Sequence, residues 1–112
     1  MGTRRSPLGL LQGTLDVLIL KALSLGPNHG YGVSLWIRQR TDGELLVEDA
    51  ALYQALHRLE RQRQIDSEWG LSENNRRAKF YELTPGGRKH LRAATSQWRR
   101  YATAVFKVLE PA

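Results

Sequence analysis

Leu91, Trp98 and Val105 stand seven residues apart, and Ala94, Tyr101 and Val108 repeat the same interval. Ala102 and Leu109 follow one step on. This spacing predicts a long terminal helix with a coiled-coil-like seam. Thr84 is suited to cap it, and Pro85 suits its first position, where a missing N–H costs nothing. A chain of 112 residues has room for one modest core and little of it left to cover such a helix. Pairing with a second copy is the simplest way to bury the seam.

The rest of the chain must then build a compact head. Leu11, Leu15, Leu18, Leu25, Ile19 and Ala22 recur at helical steps, apolar nearly all round. Gly13 or Thr14 opens this helix, and Gly26-Pro27-Asn28 stops it. A second helix is expected over 30–39, with Tyr31 and Leu35, joined by Val33 and Ile37, towards the core. Leu45-Leu46-Val47 suits a one-bridge strand. A third helix starts near Glu48 or Asp49, with a stripe of Leu52, Ala55, Leu56 and Leu59. Alternation over 65–69 and 79–83 predicts a hairpin. Its connection, Gly70 to Ala78, is nine residues long, against the usual two to five.

The net charge is +6, from 17 basic and 11 acidic residues, which suits a polyanionic partner. There are no cysteines, so disulfides, thiolate catalysis and cysteine-bound zinc are excluded, and a cytoplasmic location is expected. His29, His57 and His90 lie on separate elements and predict no metal site; His29 is read as a structural residue. No nucleophile–base pair or carboxylate pair points to an enzyme, and nothing calls for a cofactor. No run is apolar enough for a membrane span.

The predicted order is helix, helix, short strand, helix, hairpin, helix, that of a winged helix-turn-helix. The fold expected is mainly α with a small β-hairpin and a long C-terminal dimerisation helix. Residues 1–7 form a flexible basic arm, 8–84 the winged-helix domain and 85–112 the dimerisation helix. The third helix would enter the major groove of duplex DNA. Gln54 suits bidentate pairing with adenine and Arg58 with guanine. Tyr53, His57 and Arg61 share its polar surface, Tyr53 and His57 being placed for phosphates. The wing would lay Asn75, Arg76, Arg77 and Lys79 along the backbone. The alternative is an interaction module that binds RNA or a protein partner.

Four stretches resemble the PadR family of bacterial regulators. They are Leu11-Gln12-Gly13-Thr14-Leu15-Asp16, His29-Gly30-Tyr31-Gly32, Leu52 to Glu60 (LYQALHRLE) and Arg76 to Thr84 (RRAKFYELT). The short length resembles the subfamily whose C-terminal part is a single dimerisation helix. The resemblance implies a homodimeric repressor at an inverted-repeat operator, released by a small effector, in many members an aromatic one. It also places Ala51 towards DNA: the family has Gly then Ser or Thr before the Leu-Tyr pair and Pro after it. Here Ala50, Ala51 and Gln54 stand there, so the hydroxyl that can bond a phosphate is missing.

Trp98 has two readings. It fills the helix seam, or two copies sandwich a planar aromatic ligand, with Leu11, Leu15 and Leu18 as apolar walls. Trp36 and Trp69 are expected to be partial core.

Overall fold

The computed structural model describes residues 13–111. The basic arm and Leu11 lie outside the described residues. The elements run α1 (Thr14–Leu23), β1 (Asn28–His29), α2 (Gly30–Arg40), α3 (Asp49–Arg61), β2 (Ile65–Leu71), β3 (Arg77–Leu83) and α4 (Pro85–Leu109). This is a winged helix-turn-helix followed by one long helix.

The core collects one stripe from each element of the head. Ile19, Leu20, Ala22 and Leu23 come from α1, Val33 and Ile37 from α2, and Leu52, Ala55, Leu56 and Leu59 from α3. Ile65 and Tyr81 close it from the sheet, and Val47 from the α2–α3 connection. The stripe expected on α3 is therefore the one the fold buries. On α2 the expectation was half right. Val33 and Ile37 face inward, but Tyr31 is 69% exposed and Leu35 is also exposed. The inward row is Gly30, Val33 and Ile37, at helical steps, which turns Tyr31 outward to stack on His29. Leu25 is a further correction: α1 ends at Leu23, so Leu25 falls in the following turn and is exposed.

The sheet has three strands in the order β1-β3-β2, all antiparallel. The two-residue strand β1 was not expected. It pairs Asn28 with Tyr81 and His29 with Phe80. The β2–β3 ladder extends past the predicted hairpin to Gly70↔Ala78 and Leu71↔Arg77. The connection is thus residues 72–76, five rather than nine, closed by Ser72 N–H to Arg76 O at 2.9 Å. Polar residues suggested loop there because this end of the ribbon projects beyond the core. Leu45 makes the single bridge expected of it.

The helix starts follow the chemistry of their caps. Gly13 precedes α1 with φ 86°, a left-handed conformation that glycine adopts without strain. His29 Nδ1 accepts from Gly32 N–H at 3.0 Å and caps α2, the structural role expected of this histidine. Thr84 Oγ1 accepts from Gly87 N–H at 3.0 Å, with Pro85 at the first turn of α4. The joint between α3 and α4 is unusually close. A Cβ on Gly87 would lie 2.0 Å from the Gln64 carbonyl oxygen. Thr84 also donates from Oγ1 to Arg63 O at 2.7 Å and from its N–H to Gln64 O at 3.1 Å.

Beyond that joint α4 runs beside α1 and leaves its last turns exposed. Leu91 packs against the core, and Gly87 is the helix's one fully buried residue. No helix among the described residues is long and apolar enough to cross a membrane.

Candidate nucleic-acid interface

Each residue of an α-helix turns about 100° from the last. With Leu52, Ala55, Leu56 and Leu59 fixed inward, Ala50, Gln54, His57 and Arg61 fall on the opposite face of α3. All four are exposed. Ala51 and Arg58, two turns apart, share one flank; Tyr53 and Glu60 share the other.

The two flanks are tied to different neighbours. Tyr53 lies over Gly30, where a Cβ would sit 3.0 Å from a ring carbon. A side chain at position 30 would crowd the Tyr53 ring, so the missing Cβ eases the approach of α2 to α3. Glu60 accepts from Ser67 Oγ at 2.5 Å and pairs with Lys79 Nζ at 3.4 Å. The Ser67 hydroxyl holds the Glu60 carboxyl below the usual carboxylate range, and Lys79 adds to this against partial desolvation. Burial pushes the Tyr81 phenol above its ordinary value, with the Glu60 charge acting in the same direction. Lys79, expected on DNA, is thus a brace between the wing and α3.

Arg58 is also engaged. Its Nη2 donates to Asp16 Oδ1 at 2.5 Å and its Nε to Asp16 Oδ2 at 3.3 Å, a two-pronged pair that joins α3 to α1. Both side chains are partly exposed, so such a pair is worth about 0.2–1 kcal/mol.

The wing presents further cations. Side chains alternate along a strand. Tyr81 enters the core and Lys79 reaches Glu60, so Arg77 lies on the same face further out. Trp69 and Leu71 share that face across the ladder, and Arg77 stacks 4.5 Å above the Trp69 ring. Trp69 is 59% exposed, against the expectation of partial core, because β2 has left the core by this point. Stacking uses the face of the guanidinium and leaves its edge N–H groups for an anion. Asn75, with φ 59°, and Arg76 are exposed in the connection. Trp69 was not singled out as a wing residue from sequence; its alternation with Leu71, which stands opposite Arg77 in the ladder, was the available signal.

A second concave region lies between α1 and α4. One groove of about 910 Å³ runs between Val17, Leu18 and Lys21 on one side and Leu91, Trp98 and Ala102 on the other. A neighbouring one of about 550 Å³ is lined by Asp16, His90, Ala94, Trp98 and Tyr101. Trp98 stands in both, its ring edge-to-face with Tyr101 at 5.8 Å. Of the expected effector residues, Leu18 and Trp98 meet here, while Leu15 packs against the core. Trp36 is partly buried against the core, as expected. In the expected seam, Ala94, Trp98, Ala102 and Val105 are half-buried, and Tyr101, Val108 and Leu109 are exposed.

The family model of the transcriptional regulator PadR-like family matches residues 19–93. Solved structures of similar chains agree over nearly the full length. A transcriptional regulator from Clostridium thermocellum is 31% identical, with a TM-score of 0.80 over 88% of this chain and 93% of its own. A PadR family transcription regulator from hypervirulent Clostridium difficile is 27% identical, with a TM-score of 0.75 over 88% and 100%. A PadR family transcriptional regulator from Eggerthella lenta is 32% identical, with a TM-score of 0.74 over 90% and 86%.

Proposed function

Because the chain belongs to the transcriptional regulator PadR-like family, whose members are regulators and not enzymes, we propose that it is a homodimeric repressor of transcription. It binds an inverted-repeat operator through α3 and the wing. One observation carries this reading: α3 buries its whole apolar stripe and turns Gln54, His57 and Arg61 outward, beside a wing that offers Arg76 and Arg77. Gln54 reads a base edge in the major groove, and its amide suits adenine. His57, Arg61 and the two wing arginines meet phosphates, with Tyr53, Ala51 and Asn75 at the edges of the contact. Lys79 acts from behind, by fixing the wing on Glu60.

Dimerisation falls to α4. Its seam is Leu91, Ala94, Trp98, Tyr101, Ala102, Val105, Val108 and Leu109, and among the described residues nothing covers Tyr101, Val108 and Leu109, Val108 being 82% exposed. A second copy supplies the cover, and two α3 helices then meet two half-sites. The α1–α4 groove is the place for a small aromatic effector, stacked on Trp98.

The test is binding to the chain's own promoter DNA against random duplex across a salt series. A preference of about a thousandfold with a steep salt slope supports specific regulation. Weak binding, equal on both, sinks it in favour of an RNA or protein partner. Within that experiment, Gln54→Ala is expected to change sequence preference more than total affinity. Arg76→Ala with Arg77→Ala is expected to flatten the salt slope by roughly two and to spare preference. Quenching of Trp98 emission by planar aromatics checks the effector; emission indifferent to a panel of them removes it.

A further inference from the structure

The flank of α3 that carries Ala51 and Arg58 offers DNA nothing as it stands. Ala51 has no hydroxyl. The Arg58 guanidinium is held by both oxygens of Asp16. A cation already neutralised by a carboxylate adds no net charge to a polyanion and releases no further counterion. Yet Arg58 is 42% exposed at its side chain, on an element whose neighbouring face is open. Asp16 is on α1, at the wall of the groove that holds Trp98 and Tyr101. One ion pair therefore spans the distance from that groove to the outward-facing helix.

We propose that Asp16 is a positioning residue that withholds Arg58 from DNA, so that the state of this ion pair decides whether α3 binds with one cation more or fewer. This rests on the DNA-binding reading of α3. With the pair closed, the Ala51–Arg58 flank is electrostatically silent. With the pair open, Arg58 swings free, two turns along the same flank from Ala51, and supplies a phosphate contact on the side where Ala51 cannot. Asp16 itself touches no DNA in either state.

The experiment is a salt series on a mixed-sequence duplex with the full chain and three variants: Asp16→Asn, the double Asp16→Asn/Arg58→Gln, and Asp66→Asn as a charge control on the outer face of the sheet. Asp16→Asn is expected to steepen the slope of log affinity against log salt by about 0.9, the contribution of one phosphate. Its advantage over the parent then grows about eightfold for each tenfold fall in salt. The double variant removes a neutral pair and is expected to keep the parent's slope. Asp66→Asn is expected to do the same.

Three results overturn the proposal. The first is an Asp16→Asn slope no steeper than that of Asp66→Asn, which makes the effect one of net charge. The second is a double variant shallower than the parent by about 0.9, which means Arg58 already meets a phosphate in the parent. Arg58→Gln alone makes the same comparison if the Asp16→Asn variants do not fold, a slope shallower than the parent's by about 0.9 again overturning the proposal. The third is a parent whose binding ignores salt, which removes the DNA-binding reading as well; a salt-dependent parent with unresponsive variants removes the proposal alone.

Discussion

Helices α3 and α4 carry apolar stripes of similar regularity and use them in opposite ways. α3 hides Leu52, Ala55, Leu56 and Leu59 in the core of its own chain and leaves a polar face outside. α4 is twice as long, yet buries only Gly87 fully and leaves Tyr101, Phe106, Val108 and Leu109 exposed. A periodic apolar face therefore states that cover is required and not where it comes from. In α3 the cover is intramolecular and precedes function, because the outer face can be presented only when the inner one is locked. In α4 the described residues leave Ala94, Trp98, Ala102 and Val105 half-buried and Tyr101, Val108 and Leu109 exposed, and the cover proposed for them is a second copy.

The difference can be broken at each helix separately. Leu56→Ala removes a fully buried side chain and is expected to cost about 3 kcal/mol. The melting temperature should fall by roughly 12 °C in a circular-dichroism melt. That fall should be the same at every protein concentration. Val105→Asp tests the other helix. It leaves the head's core untouched and puts a carboxylate in the seam proposed to join two copies. Association is expected to weaken by about a hundredfold, about 2.7 kcal/mol, read by sedimentation across a dilution series. Helix content should survive. If Val105→Asp instead unfolds the head, the two helices do not differ in the way described.

The joint between the two helices gives the next effect. Gly87→Ala drives a methyl group into the Gln64 carbonyl, a backbone atom held by Thr84 N–H, so neither side yields easily. About 2 kcal/mol is expected from this overpacking, with α4 displaced from the end of α3. A melt unchanged by Gly87→Ala would show that the two helices are not rigidly joined. Ser at the same position adds a Cβ too and should behave alike.

What could be read from the chain alone follows from how local the cause is. The α3 stripe, the Thr84-Pro85 start of α4 and the helical run that follows it are local patterns, and the fold realises each of them. Strand β1 has no such pattern. It is two residues long, and its partners at Phe80 and Tyr81 bond it through backbone groups that any side chain permits. Arg58 was legible as a polar residue on the outer side of α3, but its partner Asp16 is 42 residues away and on another helix. Lys79 was legible as a wing cation, whereas Glu60, which engages it, belongs to α3. Trp69 was misplaced for a different reason. Residue type argues for burial, but the ribbon carries the ring past the edge of the core, where Arg77 covers it. Side-chain types thus foretold the elements, and partners distant in sequence decided which cations are free.

The smallest effect concerns the brace that keeps the wing beside α3. Glu60 is held below the usual carboxylate range by the Ser67 hydroxyl and then by Lys79, so it is ionised more readily folded than unfolded. Such a group contributes stability above its unfolded value, and that contribution is lost as pH falls through the folded one. Glu60→Gln keeps an acceptor for Ser67 and removes the charge. At neutral pH it is expected to cost about 0.5 kcal/mol, a modest figure because the carboxylate is partly in water. On the acid side of the carboxylate range the parent has also lost its charge, and the two urea midpoints should converge. A gap that persists in acid would mean that packing, and not the carboxylate's ionisation, holds the wing to α3. The same pair of midpoints for Lys79→Met should narrow in parallel, because the lysine stays charged throughout and only its partner titrates.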